Sequence, residues 1–208
     1  MCQRVFLVGM MGSGKSTVGG LLAAELGWEA VDTDELVERG AGMSVAEMFA
    51  HHGEELFRQA EAVAVQGVGK LSGPTVVSVG GGAVSKRSNR DAMRALGTVV
   101  WLRARPDTLL ARLGAGEGRP LLSGRAGQGA RPAGQGARPA GGESGGAGRA
   151  SGNKGDEPAG VVDVVCRLCA ERAPLYQEVA DLVVDVDDCS PEDVAAAVLA
   201  ELAKRGPC

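Results

Sequence analysis

Arg4-Val5-Phe6-Leu7-Val8-Gly9-Met10-Met11-Gly12-Ser13-Gly14-Lys15-Ser16-Thr17 is the stretch that decides the architecture of this chain. Its first residues form a short apolar run, which predicts a strand over Arg4–Val8. The run breaks into glycines, and Lys15–Leu26 then places Val18, Leu21, Leu22 and Leu26 on one side of a helix. Gly9 to Ser16 satisfies G-x-x-x-x-G-K-[ST] in the context that this pattern requires, after a strand and at the start of a helix. Glycines let backbone N–H groups turn inward around a polyphosphate, and the helix N-terminus adds a positive dipole end. Lys15 can reach the β- and γ-phosphates, and the Ser16 hydroxyl is placed to ligate Mg²⁺. The stretch therefore implies a bound nucleoside triphosphate.

Outward from this loop the chain alternates between strand and helix patterns. Residues 29–31 predict a second strand ending at Asp32-Thr33-Asp34, and Ser44-Val45-Ala46-Glu47 predicts a capping-box helix start. A longer helical pattern covers 53–70, a β-branched run at 75–79 closes on Gly80-Gly81-Gly82, and 88–96 is helical. A strand at 98–102 precedes a helix over Pro106–Leu113 with proline in its first turn. Later come a helix at 161–172, a strand at 182–186 and a last helix started by Ser190-Pro191-Glu192-Asp193. Such alternation predicts a mostly parallel sheet covered on both faces, with ligands outside the carboxyl ends of the strands. The glycine loop, Asp32–Asp34 and the glycine triplet each follow a strand, so all three should meet at one sheet edge.

A second acid at the end of a further strand usually completes the magnesium site of such loops. Here 75–79 ends in glycines, and the nearest acids are Asp32 and Asp34, spaced i and i+2. Leaving an extended strand, both can point the same way, one toward the metal and the other toward an acceptor hydroxyl. The plainer alternative is a cap for the following helix, which Asp34 alone fits.

Composition bounds the rest. The chain has 208 residues, 33 of them glycine, and no isoleucine. Residues 123–160 hold 13 Gly, 8 Ala and 3 Pro without one Val, Leu, Met or aromatic residue, so this stretch cannot bury a core. It contains identical heptads, Gly-Gln-Gly-Ala-Arg-Pro-Ala, at 127–133 and 134–140, a tandem duplication predicted to be a flexible, disordered loop. The expectation is one domain, 1–208, with an insert in a lid region at about 113–160. Loop-closure entropy grows only logarithmically with length, so such an insert should be tolerated at a cost on the order of 1 kcal/mol. A docking segment using Arg131, Arg138 and Arg149 is the other reading.

The net charge is −4, the reverse of the balance usual in nucleic-acid binders. No apolar run approaches a membrane span, and the early first strand leaves no room for a signal peptide, so the expectation is a cytoplasmic protein. Five dispersed cysteines suit a reducing compartment. Cys166 and Cys169 form a C-x-x-C without a second pair, which predicts a buried, inert helix face. No heptad seam is present, and the expectation is a monomer.

Taken together, GMMGSGKST, Asp32-Thr33-Asp34, Phe57-Arg58, Gly80-Gly81-Gly82, Arg119-Pro120-Leu121-Leu122 and Arg172-Ala173-Pro174-Leu175-Tyr176 occur in an order that resembles the shikimate kinases. These motifs span nearly the whole chain outside the insert. The resemblance implies a three-layer α/β/α P-loop kinase fold, like that of the nucleoside monophosphate kinases, with a central five-stranded parallel sheet and a flexible lid. It implies transfer of the γ-phosphoryl of ATP to the 3-hydroxyl of shikimate, with one Mg²⁺ per subunit, and no nucleic-acid or membrane partner. It places Gly12, Ser13, Gly14, Lys15, Ser16, Thr17, Arg112 and Arg119 at ATP, Arg112 on the adenine and Arg119 in the lid. Arg58 and Arg172 match the clamp on the shikimate carboxylate, and Gly80, Gly81 and Gly82 line the acceptor, with Gly81 a backbone donor. Asp34 matches the carboxylate that holds the acceptor hydroxyls and assists deprotonation, while Ser16 and Asp32 match the magnesium shell. Lys15, Asp34 and Arg119 are then the catalytic set.

Two other readings of the residues stay open. One is a gluconate-type or nucleoside monophosphate kinase on the same scaffold, although a nucleotide acceptor or neutral sugar leaves Arg58 together with Arg172 unexplained. The other is a catalytically silent nucleotide-binding regulator, although such a protein is expected to have lost Lys15, Asp34 or an acceptor arginine.

Overall fold

The computed structural model describes residues 4–114 and 160–205. The predicted lid with Arg119, and the insert with its duplicated heptads, lie outside the described residues. Five parallel strands, β1 (Arg4–Val8), β2 (Glu29–Asp32), β3 (Thr75–Ser78), β4 (Thr98–Arg103) and β5 (Leu182–Asp185), form one sheet in the order β2-β3-β1-β4-β5. The three inner strands are buried almost throughout, as expected where helices cover both faces, whereas edge strand β5 alternates buried Leu182 and Val184 with exposed Val183 and Asp185.

Alternation along the inner strands divides the core. Phe6, Val8, Val77, Val99 and Trp101 face one side. There they meet α3 (Val45–Gly67), α4 (Arg87–Leu96), α5 (Pro106–Leu113) and α6 (Val161–Val179). Val5, Leu7, Val76, Val100 and Leu102 face the other, against α1 (Lys15–Leu26) and α7 (Pro191–Lys204). A satellite cluster of Val37, Met48, Phe57 and Ala64 joins α2 (Thr33–Ala41) to α3. With no isoleucine, valine supplies most of the β-branched filling.

The local signals for helix starts hold. Ser44 and Glu47 form a reciprocal capping box at the start of α3, and Ser190 and Asp193 form another at α7. Gly53 interrupts α3 with φ 80° and ψ 174°, which splits the capped first segment from the longer run that the sequence pattern starts at residue 53.

Three expectations need correction. Asp32, not Asp34, caps α2: its Oδ1 accepts from the Asp34 N–H at 2.9 Å. The helix begins at Thr33, so Asp34 belongs to its first turn and the two acids are not successive same-face residues of a strand. Helix α6 does not stop at Arg172 but runs through Pro174 to Val179. Proline there removes one helical hydrogen bond, and burial of Tyr176 and Val179 in the core outweighs that loss. Lastly, Cys166 is exposed and Cys169 only half-buried, so the C-x-x-C does not lie on the buried face of α6. That face instead carries Val165, Arg172, Tyr176 and Val179.

Candidate active site

The sheet order puts the carboxyl ends of β2, β3 and β1 side by side, and the loops leaving them enclose a cleft of about 570 Å³. Lys15, Ser16 and Thr17 line it from the glycine loop, Asp32 and Asp34 from the β2–α2 junction, and Gly80, Gly81 and Gly82 from the end of β3. Arg58 enters from α3 and Arg172 from α6. Convergence of these clusters on one edge, expected because each follows a predicted strand, is what the fold delivers.

The glycine loop is shaped by its own backbone. Gly9, Gly12 and Gly14 have φ of 148°, 81° and 89°, and a Cβ at Gly9 would stand 2.5 Å from the Leu102 carbonyl oxygen of neighbouring β4. Lys15 Nζ bends back over the loop and donates to the Gly9 and Met10 carbonyls, each at 2.9 Å. Ser78 Oγ donates to the Lys15 carbonyl at 3.0 Å, fixing the start of α1 on β3. Ser13 is buried beneath the loop rather than on the cleft wall.

Ser16 Oγ donates to Asp32 Oδ2 at 2.8 Å. Asp32 thus serves as helix cap with one oxygen and faces Ser16 with the other. A hydroxyl and a carboxylate, both hard oxygen donors, suit Mg²⁺, which takes few protein ligands and completes its shell with phosphate and water.

The two arginines of the cleft are held by their own partners. Arg58 forms a two-oxygen contact with Glu61, at 3.1 and 3.0 Å, and reaches Glu54 at 3.1 Å. Glu61 is 1% exposed, and burial pushes its carboxyl above the ordinary range, against the pull of Arg58. Burial works against the charge of Arg58, yet Glu61 and Glu54 carry its guanidinium above its usual value. Arg172 is also buried, and its Nη1 donates to the Gly81 carbonyl at 3.3 Å.

The glycine triplet is explained by space. Gly82 has φ −94° and ψ −11°, which any residue can adopt, but a Cβ there would collide with the Arg58 guanidinium. A Cβ at Gly80 would stand 2.7 Å from Asp34 Oδ1 and 2.8 Å from Glu61 Oε1. Glycine is required so that charged groups can close on the backbone.

Residues 11–133 match the family model for shikimate kinase, and a shikimate kinase of Symbiobacterium thermophilum is 39% identical over 209 residues, covering 98% of each chain. The chain belongs to the shikimate kinase family. A second member, from Moorella thermoacetica, is 49% identical over 125 residues, spanning 60% of this chain and 72% of that one. Among solved structures, a shikimate kinase from Acinetobacter baumannii in complex with shikimate superposes with a TM-score of 0.78 at 27% identity, covering 99% of this chain and 95% of that one.

Besides Ser13, a second sequence-predicted residue among those described stands apart from the cleft wall. Arg112, exposed on α5, donates to the Val186 carbonyl at 2.9 Å just beyond β5. Helix α5 itself packs on the glycine loop, since a Cβ at Gly12 would meet the Leu113 side chain at 3.3 Å. Three residues to which the sequence reading gave no role also emerge: Glu61, Thr33 and Tyr176. Glu61 had a signal, because it interrupts an apolar stripe formed by Phe57, Ala64 and Val65 on α3. Thr33, between two acids, and Tyr176, at the end of the arginine motif, had none beyond their motifs.

Proposed function

We propose that this shikimate kinase family member transfers the γ-phosphoryl group of ATP to the 3-hydroxyl of shikimate, yielding shikimate 3-phosphate and ADP on the route to chorismate and the aromatic amino acids. The observation that carries this reading is one cleft that joins a phosphate-binding loop to two guanidinium groups, Arg58 and Arg172, and a carboxylate, Asp34. A neutral sugar or a nucleotide base gives no reason for a half-buried and a buried arginine lining the same cleft as Lys15. A small carboxylate bearing several hydroxyls does.

In this scheme Arg58 and Arg172 hold the shikimate carboxylate, and the N–H groups of the Gly80–Gly82 turn and Asp34 orient the ring hydroxyls. Asp34 accepts the proton as the 3-hydroxyl oxygen bonds to the γ-phosphorus and the bond to the ADP oxygen breaks. The N–H groups from Gly12 to Thr17 and Lys15 bind the polyphosphate, Arg112 lies at the adenine, and Arg119 comes from the lid. Ser16 and Asp32 would hold Mg²⁺, which supplies charge neutralisation on the phosphates when bound. Among the described residues no helix is long and apolar enough to cross a membrane, and we take the protein to act as a cytoplasmic monomer without nucleic acid.

Isothermal titration in the presence of ADP should show shikimate binding at least tenfold more tightly than gluconate or AMP. Equal or tighter gluconate binding would contradict the assignment. A more local check is Gly82→Ala. Its backbone suits alanine, so the fold should keep its melting temperature within a few degrees, whereas the displaced Arg58 should raise the shikimate KM about tenfold and leave the ATP KM unchanged.

A further inference from the structure

Two buried hydroxyls grip the glycine turn from different elements. Thr33 Oγ1, on the first residue of α2, accepts from the Gly80 N–H at 2.9 Å. Tyr176 Oη, on α6, donates to the Gly81 carbonyl at 2.6 Å. Thr33 is fully buried and Tyr176 is 1% exposed, and neither lines the cleft. The tyrosine ring stacks on Trp101 with centroids 5.6 Å apart and planes 25° from parallel, which leaves its hydroxyl little freedom. Tyr176 lies one helical turn beyond Arg172, and both donate to the same Gly81 oxygen.

The polar groups of the turn then divide cleanly. The Gly80 N–H goes to Thr33, the Gly80 carbonyl to the Ala83 N–H, the Gly81 carbonyl to Tyr176 and Arg172, and the Gly82 carbonyl to the Ser85 N–H. The Gly81 and Gly82 N–H groups form no hydrogen bond with other described residues. In a trans peptide the N–H points opposite to the carbonyl, so drawing the Gly81 carbonyl toward α6 sends the Gly82 N–H to the other side. A peptide flanked by glycines on both sides rotates with little steric resistance, so its orientation must be imposed from outside.

We infer that Thr33 and Tyr176 are positioning residues that lock this turn so that the Gly81 and Gly82 N–H groups are presented to the acceptor in one orientation; the inference rests on reading the cleft as the shikimate site. Burial raises the Tyr176 phenol well above its ordinary range, which keeps it a hydrogen-bond donor throughout the working range of the enzyme.

The test is steady-state kinetics of Tyr176→Phe, which preserves the stack on Trp101, alongside Thr33→Val and Thr33→Ser. Tyr176→Phe and Thr33→Val should each raise the shikimate KM by about fivefold to tenfold with the ATP KM within about twofold of wild type. Thr33→Ser, which keeps the hydroxyl, should recover most of the affinity that valine loses. If wild type phosphorylates shikimate and neither Tyr176→Phe nor Thr33→Val changes its shikimate KM by more than twofold, the inference fails and the proposed function stands. If both KM values rise together with a fall in melting temperature, the hydroxyls serve packing alone and the inference fails likewise. No shikimate turnover by folded wild type would overturn the reading of the cleft, and the inference with it.

Discussion

Asp34→Asn is expected to lower kcat by about a thousandfold while shikimate still binds. Asparagine keeps the shape and one acceptor oxygen of the native side chain but cannot take up the proton that the 3-hydroxyl must lose. Asp34 is well placed to show this cleanly, because it neither caps α2 nor faces Ser16. Asp32 performs both of those tasks, so Asp34→Asn leaves the helix start and the Ser16–Asp32 pair intact. The change should therefore appear in kcat, with the melting temperature close to wild type and the shikimate KM shifted much less. Pre-steady-state measurement of the chemical step against product release would check this. A variant within tenfold of wild-type kcat would mean that the proton leaves by another path.

Lys15→Met should cost a similar factor, roughly 10² to 10³ in kcat, which corresponds to about 2.7–4 kcal/mol of lost charge stabilisation. The loop already holds the ammonium group in place: its bonds to the Gly9 and Met10 carbonyls keep Nζ folded over the glycines rather than extended into solvent. Methionine retains the length and apolar stem, so the loop should keep its fold. Shikimate binding, measured by titration without nucleotide, should be unchanged because Glu54 and Glu61 hold Arg58 and the Gly81 carbonyl accepts from Arg172. If kcat stays within tenfold of wild type, the charge needed in phosphoryl transfer comes from elsewhere in the protein.

Much of this architecture was legible before any coordinates. The glycine loop carries its signal in consecutive residues, and the capping boxes at Ser44 and Ser190 are set by side chains three positions apart. The five strands are short valine-rich runs bounded by turns, and each was found within a residue or so of its predicted limits. What local sequence could not supply were decisions made by packing. The helix capped at Asp32 starts two residues earlier than a cap at Asp34 would allow, a difference that depends on how β2 hands the chain to α2. Helix α6 overrides Pro174 because Tyr176 and Val179 have a sheet to bury against.

The same distinction applies within the site. Arg58 and Arg172 were visible through motif resemblance, but the reason for their placement was not. Glu61 pairs with Arg58 one helical turn away on α3, and what packing adds is the burial of that pair beside the glycine turn. The bond from Tyr176 to Gly81 spans 95 residues of sequence, and that from Gly80 to Thr33 spans 47. Contacts of this kind leave no periodicity to read. Where a trace exists, it is a charged residue set into an otherwise apolar stripe, as with Glu61 and Arg172.

The most direct test of the whole account is phosphorus NMR of the full-length chain incubated with ATP, Mg²⁺ and shikimate. The expected result is stoichiometric loss of ATP to ADP with growth of one phosphomonoester resonance coupled to the proton on carbon 3 of shikimate. A folded protein that leaves ATP unconsumed in the presence of shikimate, or that phosphorylates gluconate or AMP in its place, would contradict it.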